Sequence, residues 1–81
     1  MTFKELLEKR NDKTQSDNLR IGLASLEYHL SELEDEKCIN KEYHSYIIHG
    51  ILLGLQMTDF ISEDQFKYLD YERKKTQYNK K

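Results

Sequence analysis

Leucines recur every three or four residues between positions 19 and 33. The five are Leu19, Leu23, Leu26, Leu30 and Leu33. At ~100° per residue they share one narrow stripe, which is typical of a helix packed against other helices. Ser16 precedes this segment as a candidate N-cap. Ile21, Ala24 and Tyr28 form a smaller apolar patch on the opposite side. The acidic run Glu34–Glu36 then lies at the C-terminal end of the helix, where the helix dipole disfavours negative charge. We therefore expect the helix to end near Lys37.

A second helical segment follows Asn40, its candidate N-cap, and is apolar on almost every side. One face carries Tyr43, Tyr46, Ile47, Gly50, Gly54 and Met57, and another carries His44, Ile48, Ile51, Leu52 and Leu55. The polar strip is narrow and contains Glu42, Ser45, His49 and Gln56. Such a helix must be covered on two or three sides. It is therefore predicted to be the central element of the bundle. The other helices are not expected to cover all of its apolar surface, and the uncovered part is expected to form a dimer contact.

Two glycines interrupt this central helix. Gly50 and Gly54 each cost roughly 1 kcal/mol relative to alanine inside a helix, so the pair calls for a reason. Four residues apart, they form a smooth notch into which another helix backbone can pack closely. A locally loosened helix is the alternative interpretation.

The chain begins with a capping box, Thr2 with Glu5, and with Met1 and Leu6 at the positions of a hydrophobic staple. These signals predict a short N-terminal helix. The stretch 11–18 has no apolar residue and is predicted to be a linker.

Ser62 and Gln65 form a second capping box, with Ile61 and Phe66 as its staple, and predict a closing helix. Phe66 and Leu69 should face inward, with the stem of Arg73 along the same edge. The segment 73–81 has five positive charges and no negative one. We expect a single helical domain over residues 1–75 and a basic, disordered tail over 76–81.

Composition agrees with helices, since the chain has no proline and only three glycines. The single cysteine, Cys38, excludes an internal disulfide and predicts a reducing, cytoplasmic environment. The N-terminus has no apolar region of a signal peptide. The apolar run Ile47–Leu55 is far shorter than the ~20 residues of a spanning helix, so no membrane contact is expected.

No constellation of residues predicts catalysis, a cofactor or a metal. His44 and His49 are five residues apart and diverge on a helix, whereas zinc ligands on one helix stand four apart. His44 is predicted to be a partly buried structural residue, and His29 and His49 to be solvated. Cys38 is interpreted as a half-buried thiol in a turn, because one cysteine near one histidine is a weak signal of a nucleophile.

Protein binding is the function that the residues favour. Six tyrosines are many for 81 residues, and tyrosine is common at interfaces. The interface candidates are Tyr28, Gly50, Gly54, Tyr68 and Tyr71. The alternative is nucleic-acid binding by the basic tail through Arg73, Lys74, Lys75, Lys80 and Lys81. It is disfavoured because residues 21–72 hold eleven acids against three lysines.

The segment from Tyr46 to Leu69 resembles a pattern of small uncharacterised helical proteins of phages and mobile elements of low-GC Gram-positive bacteria. The resemblance covers about a third of the chain and rests on Tyr46, Gly50, Leu53, Gly54, Leu55, Ile61, Ser62, Glu63, Phe66 and Leu69. At the turn, where that pattern tends to have glycine, this chain has Asp59 and Phe60. The resemblance implies an accessory protein that binds and blocks or redirects a host protein, including components of host defence.

Together these features predict an all-α bundle of three main helices plus a short N-terminal one. The bundle is expected to be a homodimer and a non-catalytic regulator or inhibitor that binds a protein partner.

Overall fold

The computed structural model describes residues 2–78, and this range contains four α-helices. They are α1 (Phe3–Glu8), α2 (Asp17–Glu34), α3 (Lys41–Met57) and α4 (Glu63–Tyr78), with a 3₁₀ turn at Lys9–Asn11. No strand occurs within this described range. The prediction of an all-α protein is confirmed.

Side-chain caps begin three of the helices where the sequence predicts them. The Thr2 hydroxyl accepts the Glu5 amide at 3.2 Å, and the Glu5 carboxylate accepts the Thr2 amide at 3.2 Å. Ser16 accepts the Leu19 amide and begins α2. Ser62 and Gln65 cap each other at the start of α4. These bonds satisfy amides that have no partner inside their helix. The predicted staple of Met1 lies outside the described residues.

The connection between α2 and α3 differs from the prediction in two details. Helix α2 ends at Glu34, three residues before Lys37, because Asp35 is extended and its carboxylate accepts the Lys37 amide. Asn40 occupies the N-cap position of α3 but makes no side-chain capping bond. The Lys41 ammonium instead donates to the Leu33 carbonyl at 2.6 Å and ties the two helix ends together.

Helix α3 ends in a tight left-handed turn at Asp59, whose φ is 61°. The Asp59 amide donates to the Gln56 carbonyl, and the Phe60 amide donates to the Leu55 carbonyl at 2.9 Å. This pair of bonds is a Schellman motif, in which glycine usually holds the left-handed position. Aspartate tolerates that conformation better than most residues. The motif turns the chain sharply into α4.

The core lies between α3 and its two neighbours. Helix α3 packs against both α2 and α4, as predicted for a central element, and α1 packs against α2. The buried apolar residues are Leu6, Leu23, Leu26, Leu30, Leu33, Ile48, Leu52, Leu55, Ile61 and Leu69. The predicted leucine stripe of α2 is thus the core face of that helix, with Leu19 partly buried at its edge.

Helix α4 continues three residues past the predicted end of the domain. Residues 76–78 were expected in a disordered tail, but they belong to α4, and the Thr76 hydroxyl donates to the Glu72 carbonyl. Gln77 also accepts a hydrogen bond from Ser45 of α3, which draws this turn onto the fold. The rest of the predicted tail, 79–81, lies outside the described residues. No helix in residues 2–78 is long and apolar enough to cross a membrane.

Candidate functional site

One side of α3 is covered by neither α2 nor α4. We call it the α3 outer face; its residues are Tyr43, Tyr46, Gly50, Leu53, Gly54 and Met57. They lie within about 100° of the helix circumference. All six are exposed, and the large side chains range from 40% exposed at Leu53 to 76% at Met57. A continuous apolar stripe of this kind marks a binding surface more often than scattered exposed residues do.

Both glycines lie open on this face. A Cβ atom built at Gly50 or Gly54 meets no atom of residues 2–78 within 4 Å, so none of the other described helices packs closely against them. The predicted notch therefore exists, but nothing inside the described chain fills it. Next to Gly54, a shallow groove of about 640 Å³ runs between the start of α2 and the end of α3. Its apolar lining comes from Leu19, Ile51, Leu55 and Phe60 together with Gly22 and Gly54.

The predicted interface tyrosines belong to α2 and α4 and not to this face. Tyr68 and Tyr71 are exposed on α4, on the side opposite its buried Leu69. Tyr28 is exposed on α2, and its ring makes an edge contact with His29 at 5.0 Å between centroids. The five candidates thus occupy three helices, and their role in an interface stays a prediction.

The first of the five residues proposed for nucleic-acid binding is buried. Arg73 is 7% exposed, and its guanidinium donates to Asp70 and Ser45, so it is not available to a phosphate. Its predicted inward stem is confirmed. Lys74 and Lys75 are exposed on α4. The other two candidates, Lys80 and Lys81, lie outside the described residues.

A closed polar cluster joins α3 to α4. We call it the α3–α4 cluster; it comprises Ser45, His49, Asp70, Arg73 and Gln77. The Asp70 carboxylate accepts from Arg73 Nε and from His49 Nδ1, both at 2.8 Å. The buried Ser45 hydroxyl accepts from Arg73 and donates to Gln77. The His49 side chain is 40% exposed, so it is partly solvated as expected, but α4 also brings the Asp70 carboxylate to it, which was not predicted. Residues of the predicted polar strip of α3 face α4 here.

Two effects act on the carboxyl of Asp70 in opposite directions. Burial raises its pKa, but the hydrogen bonds from Arg73 and His49 and their positive charge outweigh burial. The pKa of Asp70 therefore lies below its ordinary value, and the group is ionised at neutral pH.

Histidine, glutamate and cysteine side chains meet where α2 turns into α3. We call this the α2–α3 corner; it comprises His29, Glu32, Cys38 and His44. His29 and His44 share a hydrogen bond of 2.8 Å between their Nδ1 atoms. One ligand atom each of Glu32, Cys38 and His44 lies within 4.8 Å of the others. His44 is buried as predicted. His29 was expected to be solvated, but it is half-buried and bonded to His44.

The environment of the corner disfavours protonation of His29 by lowering its pKa. Burial lowers the pKa of His29, and the adjacent His44 lowers it further, while the Glu32 carboxylate opposes them. These side chains come from two helices and the connection between them, so ligand spacing within a single helix does not predict the corner. The positions of the two histidines in the sequence do hint at their pairing. His29 and His44 stand at similar distances from the 35–40 connection, and antiparallel helices place such positions side by side.

Comparison with protein-family models, with curated proteins and with solved structures found no match for this chain.

Proposed function

We propose that this protein is a small helical bundle that acts by binding proteins, without catalysis, and that the α3 outer face docks onto a second copy of the chain. The observation that carries the proposal is the exposed apolar stripe of α3. Leu53 and Met57 would each lose exposed apolar area on docking, at about 25 cal/mol per Å² removed from water.

A second copy suits this face because the face is nearly free of charge. From residue 43 to 57, α3 contains no aspartate, glutamate, lysine or arginine. In a two-fold dimer the same patch meets itself, so like charges on the patch would face each other. Their absence removes that cost. The open backbone at Gly50 and Gly54 lets two α3 helices approach closely.

The resemblance to phage and mobile-element proteins supports a wider role for such a dimer. It favours an accessory regulator or inhibitor that binds a host protein, with components of host defence as candidate partners. Tyr28, Tyr68 and Tyr71 are exposed on α2 and α4 and are candidate contacts for that partner. Their amphipathic rings suit a surface that is solvated until a partner binds.

The solution mass tests self-association directly. Light scattering at micromolar concentration should give twice the 9.8 kDa of the chain. Met57→Lys should return the mass to that of a monomer, because it places a charge in the apolar contact. Ile21→Lys is the matched control, since Ile21 is comparably exposed but lies on α2. A monomeric wild-type chain, or equal masses for the two variants, would refute the α3 contact.

Substitution of Gly54 separates folding from docking. The Cβ of a leucine at this position meets no atom of the described part of the chain within 4 Å, and leucine has a better helix propensity than glycine by about 0.8 kcal/mol. Gly54→Leu should therefore raise the thermal stability of the monomer while it weakens the dimer. Unfolding is followed at a dilution at which the wild type is monomeric. A dimer unaffected by Gly54→Leu contradicts close approach at the glycines.

A further inference from the structure

The α2–α3 corner gathers three side chains of the kinds that bind transition metals. Glu32 lies in the last turn of α2, Cys38 in the connection and His44 in the first turns of α3. Zinc ligands lie about 2.0–2.3 Å from the ion and so roughly 3.3–3.8 Å from each other in a tetrahedral site. The 4.8 Å limit on the ligand atoms here exceeds that spacing by about 1 Å. Rotation of the Glu32 and Cys38 side chains, which are only partly buried, can close the difference.

The carboxylate of Glu32 and the thiol of Cys38 have no bonding partner among the described residues. Within residues 2–78, neither group takes part in an ion pair or a hydrogen bond. Surface carboxylates are commonly solvated, so Glu32 alone indicates nothing. Its position beside a thiol and a buried imidazole is the informative feature.

His29 bonds one ring nitrogen of His44 and leaves the other available to a metal ion. The bond between their Nδ1 atoms leaves Nε2 of His44 without a protein partner in the described part of the chain. No fully buried side-chain nitrogen or oxygen there lacks a partner, so Nε2 keeps some contact with solvent. Metal-binding histidines usually engage their second ring nitrogen in this way, which fixes the tautomer and the ring. His29 is that outer partner.

The backbone around Cys38 is also held in place. The Cys38 amide donates to the Asp35 carbonyl at 3.1 Å, and the Asp35 carboxylate accepts the Lys37 amide. Lys41 ties the start of α3 to the end of α2 through the Leu33 carbonyl. These bonds fix the short connection, so that bringing three ligands together costs little further ordering.

We infer that Glu32, Cys38 and His44 bind one zinc ion per chain, with His29 as the outer partner of His44. A thiolate and an imidazole select zinc over magnesium or calcium, which prefer oxygen ligands. The carboxylate and the thiolate together balance the two positive charges of the ion. Three protein ligands leave a fourth position for water or for a group of another molecule. This site goes beyond the proposed dimer, since none of its residues belongs to the α3 outer face.

Cobalt and zinc titrations of the untagged chain test the site. Cobalt(II) added to the reduced protein should give the near-ultraviolet absorption of a thiolate–cobalt bond and the strong visible bands of a tetrahedral ion. The bands should saturate at one equivalent and disappear when zinc is added. Absence of the thiolate band, or saturation at another stoichiometry, overturns the inference.

Three variants locate the ion. His29→Phe keeps an aromatic ring between its neighbours but removes the bond to His44, and should weaken zinc binding by about 10–100-fold. Cys38→Ser should cost more than that and abolish the thiolate band. Glu34→Gln is the control, because Glu34 is an exposed acid in the same turn and should leave the affinity unchanged. Equal affinity in Cys38→Ser and Glu34→Gln places the ion elsewhere and refutes the site.

Discussion

Helix α3 presents polar side chains to both of its neighbouring helices, and the two groups differ in how fully their atoms are used. In the α3–α4 cluster, Asp70 accepts from Arg73 and His49, and Ser45 bonds both Arg73 and Gln77. In the α2–α3 corner, one bond joins His29 to His44, while Glu32 and Cys38 make no side-chain bond within the described chain. One group is complete within the fold and the other is not.

This difference separates polar residues that stabilise from polar residues that can bind. Burying Arg73 is tolerable only because Asp70 and Ser45 compensate for the loss of water, so the cluster is explained by folding alone. A thiol and a carboxylate that meet a buried imidazole gain nothing for folding from their proximity. Side chains that converge without stabilising one another are therefore the better candidates for a ligand site.

Removing Arg73 should have the largest effect on folding. Arg73→Met keeps the apolar stem but leaves Asp70 partly buried without its main partner, which should lower the free energy of unfolding by about 3 kcal/mol. Urea unfolding followed by circular dichroism measures the loss. The double variant Asp70→Leu with Arg73→Met should recover most of the stability, because it leaves no unpaired charge. A loss of less than about 1 kcal/mol for Arg73→Met would place the pair among weak surface ion pairs.

Lowering the pH should reduce the stability that the α3–α4 cluster contributes, by less than Arg73→Met does. The pKa of Asp70 is lowered in the fold, so its contribution is complete above the ordinary aspartate value of about 3.9 and is lost as pH falls through the lower, folded value. Asp70→Asn should be less stable than the wild type at pH 7 but should lose less stability between pH 5 and pH 2. Thermal unfolding across this range gives both curves. Parallel curves would contradict a lowered pKa at Asp70.

Periodicity within one helix was sufficient to predict much of the fold. The leucine stripe of α2 became its core face, and the caps at Ser16 and Ser62 begin α2 and α4. These signals are local, because hydrophobic spacing and capping bonds involve residues within a few positions of each other. The sequence also identified α3 as central. It did not show which of its two apolar faces the neighbouring helices would leave exposed.

The polar clusters were missed because they depend on the register between helices. His49 meets Asp70 twenty-one positions away, and His29 meets His44 across the connection. No spacing within a single helix encodes such pairs. The same cause applies to Arg73, whose inward stem was predicted from the sequence but whose bonds to Asp70 and Ser45 were not. Register follows from how the core side chains pack, and a single sequence does not display that packing.

The smallest change in stability is expected at Cys38, and it sharpens the contrast between the two groups. Since the Cys38 thiol makes no side-chain bond within the described chain, Cys38→Ser in the presence of a chelator should shift the free energy of unfolding by no more than about 0.5 kcal/mol. Zinc should then raise the thermal stability of the wild type and leave that of Cys38→Ser nearly unchanged, because a ligand stabilises only the state that binds it. A large loss in the metal-free variant would instead make Cys38 a packing residue, and the α2–α3 corner would resemble the α3–α4 cluster in serving the fold alone.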